Sequence, residues 1–327
     1  MMHENEELAP LPGVWRTIAA GFDLTTKHLW LLILPVFLDA FLWLGPRLSS
    51  RPIWEQMVSM LPPDPALESY MAQFMELAPR TNLFTSLSVP FIGIPVYMIG
   101  ATPEATPLPV SVIEIADPMI WIAMFLLFSM IGVLLTAVYF TLISQTIRIE
   151  ENRPTLALTE FIRRVASTWI KLLGLGIILF IFSLIILIPF MIVAFVVALL
   201  SQFLAMMVLL ISFVLILWLL IFTYFVPHNL SLLGHPLPIA IMSSVQLMRT
   251  YLSPTLGLLI IILIIRNFLS SLLLLADNGS WLTGANILGH AFIMTSLTTA
   301  AFLFFRDHYV AMAKQNSIYA SNQNDNK

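Results

Sequence analysis

The chain alternates long apolar runs with shorter segments in which apolar residues recur every three or four positions. Such runs read as membrane-crossing helices, and the periodic segments as amphipathic helices lying at an interface. In residues 12–28, Trp15, Ile18, Ala19 and Phe22 share one helix face, with Arg16, Thr17, Asp23 and Lys27 mostly elsewhere. A first span is predicted directly afterwards, over 29–44, bent at Pro35 and flanked by Trp30 and Trp43. Tryptophans at both ends fit the aromatic belts of membrane interfaces. A second span is predicted over 119–145, with Ser129, Gly132, Thr136 and Tyr139 forming a stripe of small and polar residues for helix contact. In the next amphipathic segment Leu158, Phe161, Ile162, Val165 and Trp169 fall at helical spacing, opposite Thr159, Glu160, Arg163 and Arg164.

Residues 169–226 are apolar for too long to be one crossing. The polar step Ser201-Gln202 divides them into a third span over 170–200, weakened near Pro189, and a fourth over 203–225. A third amphipathic segment, 236–252, places Ile241, Val245, Met248 and Leu252 on one face. The fifth span, 254–275, carries Arg266 and Asn267; a short turn leads to a sixth over 286–305. The polar tail after Arg306 is expected to be disordered.

One long polar insertion, 46–118, separates the first two spans and sets Arg47, Arg51 and Arg80 against seven acids. Residues 52–61 and 65–78 are predicted as short amphipathic helices around the breaker Pro62-Pro63-Asp64-Pro65. Residues 82–100 are apolar enough to dip into a bilayer, although Pro90 and Pro95 oppose a regular span, and 101–118 read as extended. The expected architecture is therefore all-α and polytopic: six spans, with three interfacial helices on one side. Its parts are residues 1–45 (interfacial helix and first span), 46–118 (extracytoplasmic insertion), 119–305 (membrane domain) and 306–327 (cytoplasmic tail).

Composition confirms the class. Of the 327 residues, 59% are hydrophobic and 10% charged, with mean hydropathy +0.93, whereas soluble domains carry roughly 25% charged residues. A net charge of −3 without a basic field gives nucleic-acid binding no support. Cysteine is absent, which excludes disulfides, thiolate metal sites and a cysteine nucleophile. The acidic N-terminus lacks the basic region of a cleavable signal, so the first span is expected to remain.

Orientation follows from Lys and Arg. Five of the fifteen lie in 148–174: Arg148, Arg153, Arg163, Arg164 and Lys171. The positive-inside bias assigns that side to the cytoplasm. Six spans with both termini cytoplasmic place eleven Lys/Arg inside and three outside, with Arg266 buried. A seventh span over 82–100 with the N-terminus outside gives a comparable charge count, but strands the first interfacial helix opposite its two counterparts. The six-span cell-membrane topology is preferred.

The order of elements repeats three times: interfacial helix, span out, span back. Superposing 154–175 on 237–258 aligns Leu158 with Ile241, Ile162 with Val245, Val165 with Met248 and Gly174 with Gly257; residues 12–32 follow more loosely. On these units, at 154–175 and 236–258, the chain resembles an uncharacterised bacterial family of six-span membrane proteins, itself similar to the membrane domain fused to some glycerophosphodiester phosphodiesterases. The resemblance covers most of the chain except 46–118. It implies a six-span fold and transfers no catalytic residue, because the phosphodiesterase chemistry belongs to a soluble domain that these residues do not contain.

The candidate chemistry is sparse. Asp39 and Arg266 lie about ten to twelve residues into spans one and five, hence ~15–18 Å deep at 1.5 Å per residue. A charge at that depth costs at least ~2.5–3.5 kcal/mol and calls for a partner. The pair reads either as a structural clasp between the first and third repeats or as part of an ion or headgroup path. Asn267 and His290 complete this candidate polar site, each with the alternative of an ordinary helix contact. His228 and His235 have no acidic or thiol companion for a metal. The basic cluster reads as contact with anionic lipid, each residue worth ~1 kcal/mol near the surface, or as a docking surface for a membrane-protein partner. No H-E-x-x-H, G-x-S-x-G or Walker loop occurs. No cofactor is implied. The expected role is that of a non-enzymatic scaffold or accessory factor in envelope or lipid biology. The alternative is a transporter or channel for a small solute, ion or lipid that uses Asp39 and Arg266.

Overall fold

A computed structural model describes residues 11–60, 82–89, 93–99, 106–151, 153–273 and 280–324. The helix expected over 65–78, the proline breaker before it and Pro90 lie outside these residues. The chain runs α1 (Val14–Lys27), a 3-10 turn (Leu29–Leu32), α2 (Ile33–Leu44), β1 (Arg47–Ser49) and α3 (Arg51–Ser59). A second 3-10 turn (Leu83–Leu87) and β2 (Val112–Glu114) complete the insertion. Then come α4 (Pro118–Glu150), α5 (Leu158–Ala198), α6 (Gln202–Thr223) and α7 (Val226–Leu232). The last three are α8 (Leu237–Thr250), α9 (Leu252–Leu273) and α10 (Leu282–Asn324). Among the described residues the only sheet is the parallel pair β1–β2, with Leu48 opposite Ile113.

This is an all-α polytopic membrane protein. The helices α4, α5, α6 with α7, α9 and α10 are each long and apolar enough to cross a bilayer. The pair α1 and 29–44, bent by 93°, makes a sixth if counted as one span. Local signals set the boundaries. Asp117 accepts hydrogen bonds from the Met119 and Ile120 amides with Pro118 at the first helical position, a standard helix start. Ser201 accepts from the Leu204 amide and opens α6, so the polar step in the apolar run does divide two helices. The 82–89 and 93–99 stretches form a 3-10 turn and irregular backbone; they do not cross as a helix.

Three expectations are corrected. The tail after Arg306 is not disordered throughout: α10 continues to Asn324. The sixth span begins at Leu282, a turn before 286. The amphipathic segment at 158–169 is not a separate interfacial helix, because α5 runs unbroken to Ala198. Nothing at 170–176 stops it: the glycines at 174 and 176 keep helical backbone, and no proline occurs before Pro189.

The backbone shows a regularity beneath this difference. The residues that start α1, α5 and α8 have nearly identical φ/ψ: Gly13 at −62°/159°, Ala157 at −60°/152° and Pro236 at −59°/149°. Helices α1 and α8 are each 14 residues long and break at His28 (−128°/55°) and Tyr251 (−122°/42°). Aligning the three starts shifts the sequence register by about one helical turn, so that Leu158 matches Leu237 rather than Ile241. In this register Gly21, Val165 and Ser244 coincide and are all buried, as are Leu24, Thr168 and Leu247.

The core is organised around α10, whose apolar window is 72% buried against 11–12% for the other candidate spans. The first helix packs along it, with Gly21 against the Ser296 carbonyl and Ala300. Helix α5 packs on α4, where the Trp169 Nε1–H donates to the Met130 carbonyl at 3.0 Å. Helix α8 packs on α6 and α7, where the Ser244 hydroxyl donates to the Phe222 carbonyl at 2.7 Å. The outward faces of α5 and α6 are apolar and exposed, as Phe180, Phe195 and Phe203 show, which suits contact with lipid.

Candidate functional site

Asp39, on α2, is a fully buried carboxyl group. Its partner is the backbone of the insertion: the Tyr97 amide donates to Oδ2 at 3.0 Å and the Met98 amide to Oδ1 at 2.9 Å. Irregular backbone leaves N–H groups without the internal partners a helix supplies, and at membrane depth each must find one inside the protein. Other side chains meet the same need nearby. The Ser88 hydroxyl donates to the Ile94 carbonyl at 2.6 Å. Asn82 Oδ1 accepts from the Leu48 and Phe84 amides, both at 3.2 Å. The insertion thus enters the helical bundle and is stitched to it.

The predicted pairing of Asp39 with Arg266 does not form. Arg266 and Asn267 are exposed on α9, whereas both oxygens of Asp39 are engaged by amides. Matching depth and opposite charge suggested the pair; the unpaired amides of the 93–99 segment take the carboxyl instead. His290 is buried on α10 with its ring 5.5 Å from that of Tyr97, and it also lies within electrostatic reach of Arg266. Of the four predicted site residues, Asp39 and His290 are buried against the 93–99 segment, whereas Arg266 and Asn267 are exposed on α9.

The other two candidate histidines, His228 and His235, are structural in their contacts. His228 packs within an aromatic cage, 4.5 Å from the Phe302 ring, and its Nδ1 lies 3.2 Å from the Tyr224 carbonyl. His235 Nδ1 lies 3.0 Å from Asn229 Oδ1. Among the described residues no three His, Asp or Glu side chains cluster as metal ligands.

The basic cluster separates into two groups. Arg153 is bound to Glu151 at 3.0 Å, and Glu151 also holds Arg306 at 3.1 Å, so these charges join the end of α4 to α10. The adjoining Glu150 lies 3.7 Å from Lys27 Nζ at the end of α1. Arg163, Arg164 and Lys171 instead line a cavity of about 350 Å³ between the start of α5 and the turn joining α7 to α8. Arg164 donates to the Leu232 carbonyl at 2.9 Å and Lys171 to the Gly234 carbonyl at 3.0 Å. Gly234 has φ +75°, and a Cβ there would come within 3.3 Å of Arg164 Nη2, so glycine both makes the turn and leaves room for the guanidinium. Arg148 lies within electrostatic reach of Arg164 without lining the cavity.

Sequence reasoning found the cations of this cavity but missed Ser167, Thr168 and Gly234, which also line it. The signal for the first two was present. Residues 163, 164, 167, 168 and 171 recur at the spacing of one helix face. Compared with protein families, curated proteins and solved structures, the chain matches no family model, no curated protein and no solved structure.

Proposed function

We propose that this is a non-enzymatic, six-span protein of the cytoplasmic membrane, with both termini in the cytoplasm, acting as a scaffold or accessory factor in envelope or lipid biology. One observation carries the reading: polar and charged side chains join elements to one another and tie the first and last helices into the bundle. Asp39 is used by the insertion, Glu150 and Glu151 tie α4 to α1 and α10, and the first helix seats on the last. The three matched starts at Gly13, Ala157 and Pro236 support a threefold repeat in which each unit packs on the returning span of the unit before it. Ring closure by α1 on α10 is what such a repeat needs. The resemblance to the membrane domains of glycerophosphodiester phosphodiesterases adds support to a role near lipids.

A transport reading needs charged groups exchanging partners along a path. The engagement of Asp39 by the Tyr97 and Met98 amides, and not by Arg266, favours the scaffold reading over transport. Purification from native membrane in mild detergent, followed by mass spectrometry, separates the two. A stoichiometric protein partner is expected; a tightly held small solute with no partner would overturn the scaffold reading.

Topology is tested on the cysteine-free chain itself. Single cysteines at Arg153 and Leu108 should react with a membrane-impermeant maleimide from opposite sides, Leu108→Cys from outside and Arg153→Cys only after lysis. A third, Trp15→Cys, should behave like Arg153→Cys; labelling from outside would reinstate the topology with an external N-terminus.

A further inference from the structure

We infer that the cavity between the start of α5 and the α7–α8 turn binds a phosphomonoester group. Its charged lining is Arg163, Arg164 and Lys171 against one carboxylate, Glu160. The excess of positive charge suits a phosphate monoester, which carries about −1.5 to −2 near pH 7, better than a singly charged diester. The volume of about 350 Å³ accommodates a small headgroup.

The cations outnumber the one acid that reaches them, Glu160, which attracts Arg164. Arg164 and Lys171 are each held by a neutral backbone carbonyl, Leu232 and Gly234 respectively, and not by an acid. Each is left with further N–H donors, and the Arg164 Nε is buried with no hydrogen-bond partner. Arg148 and Arg164 repel one another, as do Arg164 and Lys171. Like charges gathered at fixed positions around a cavity are relieved by an anion, and planar guanidinium groups suit phosphate oxygens. Ser167 and Thr168 add hydroxyls to the same wall.

The adjoining face of α5 is apolar. Ile162 and Ile170 are 58% and 64% exposed, each one residue before a lining residue. A lipid with a phosphomonoester headgroup can lay its chains along that face while its phosphate enters the cavity; a free phosphate or soluble phosphomonoester offers the same chemistry. The inference rests on the proposed function only in assigning this face to the cytoplasm.

The test uses the full-length protein in phosphatidylcholine nanodiscs. Three additions are compared by the shift in unfolding temperature and by native mass spectrometry: phosphatidate, phosphatidylglycerol at matched charge, and inorganic phosphate. Phosphatidate should raise the unfolding temperature more than phosphatidylglycerol does. Arg163→Gln, at an exposed position, should leave the ligand-free midpoint unchanged and weaken phosphatidate binding roughly tenfold. Glu160→Gln removes the one opposing charge and should tighten it. If inorganic phosphate gives the same shift with the same dependence on Arg163, the group is bound from the soluble pool; if only phosphatidate does, it is bound from the membrane. Equal responses to the two lipids, or responses insensitive to both substitutions, would overturn the assignment. Co-purification of a protein partner enters none of these readouts, so the scaffold reading and the phosphate site can fail independently.

Discussion

Asp39→Leu is expected to destabilise the protein by about 2–6 kcal/mol, because it strands two buried amides at about 1–3 kcal/mol each. These are the Tyr97 and Met98 N–H groups, for which the Asp39 oxygens are the acceptors. Asp39→Asn keeps one acceptor oxygen and should cost roughly half as much. The 93–99 segment should loosen before the bundle unfolds, since its backbone lacks the internal ladder that protects the helices. Tyr97, 6% exposed in the intact protein, should then become a site for chymotrypsin. Arg266→Gln should not destabilise the protein, since it removes a charge that is costly in a membrane-crossing helix and that Asp39 does not pair. The double variant Asp39→Asn/Arg266→Gln should show no coupling beyond additivity. Thermal unfolding in detergent measures all of these. Substantial rescue of Asp39→Asn by Arg266→Gln would mean that the two charges are partners, and the anchoring of the insertion by Asp39 would be wrong.

That outcome bears on how far the sequence could be read. The apolar runs marked the candidate crossings and their order, five or six in number, because a bilayer imposes a length that composition alone reveals. The polar step at Ser201 was legible as a boundary between spans, and Asp117 carried the same kind of signal unread: each side chain acts on the adjacent backbone. Asp39 was legible as a residue in need of a partner, but its partner was not. Backbone amides carry no sequence signature, and the segment that supplies them, read as apolar enough to dip into the bilayer, gave no sign of which residue it would meet. Arg266 attracted the pairing because it was the one opposite charge at similar depth. The order of elements suggested a repeat, and the matching helix starts give a register about one turn from the hydrophobic alignment. Apolar residues recur every turn, so hydrophobic matching scores neighbouring registers alike; the φ/ψ values at Gly13, Ala157 and Pro236 separate them. The basic cavity was half legible. Its cations stood out in an apolar chain, whereas Gly234 joins them through a fold contact some 60–70 residues distant in sequence, as the Arg164–Leu232 and Lys171–Gly234 bonds show.

Gly21→Ala should carry the largest cost of any one-carbon change in the chain's closing contact. An added Cβ would lie 2.5 Å from the Ser296 carbonyl oxygen and 2.7 Å from both the Ala300 nitrogen and Cβ. Two of these three are backbone atoms of α10, so no rotamer change relieves the overlap; α1 must move away from α10. Overpacking of this kind costs about 1–3 kcal/mol, and Gly21→Leu, which forces a wider separation, should leave little folded protein. Helix propensity works the other way, since alanine is favoured over glycine by about 1 kcal/mol inside a helix. Gly176→Ala and Gly289→Ala isolate that term: both glycines lie in helices, with nothing within 4 Å of an added Cβ. Both should be neutral or stabilising by up to about 1 kcal/mol. Ala300→Gly should recover only part of the Gly21→Ala loss, because it removes the contact with Ala300 Cβ and leaves those with the Ser296 carbonyl and the backbone nitrogen of residue 300. If Gly21→Ala proves as stable as Gly289→Ala, the first helix does not seat on the last at this point, and the closed threefold arrangement loses the contact that closes it.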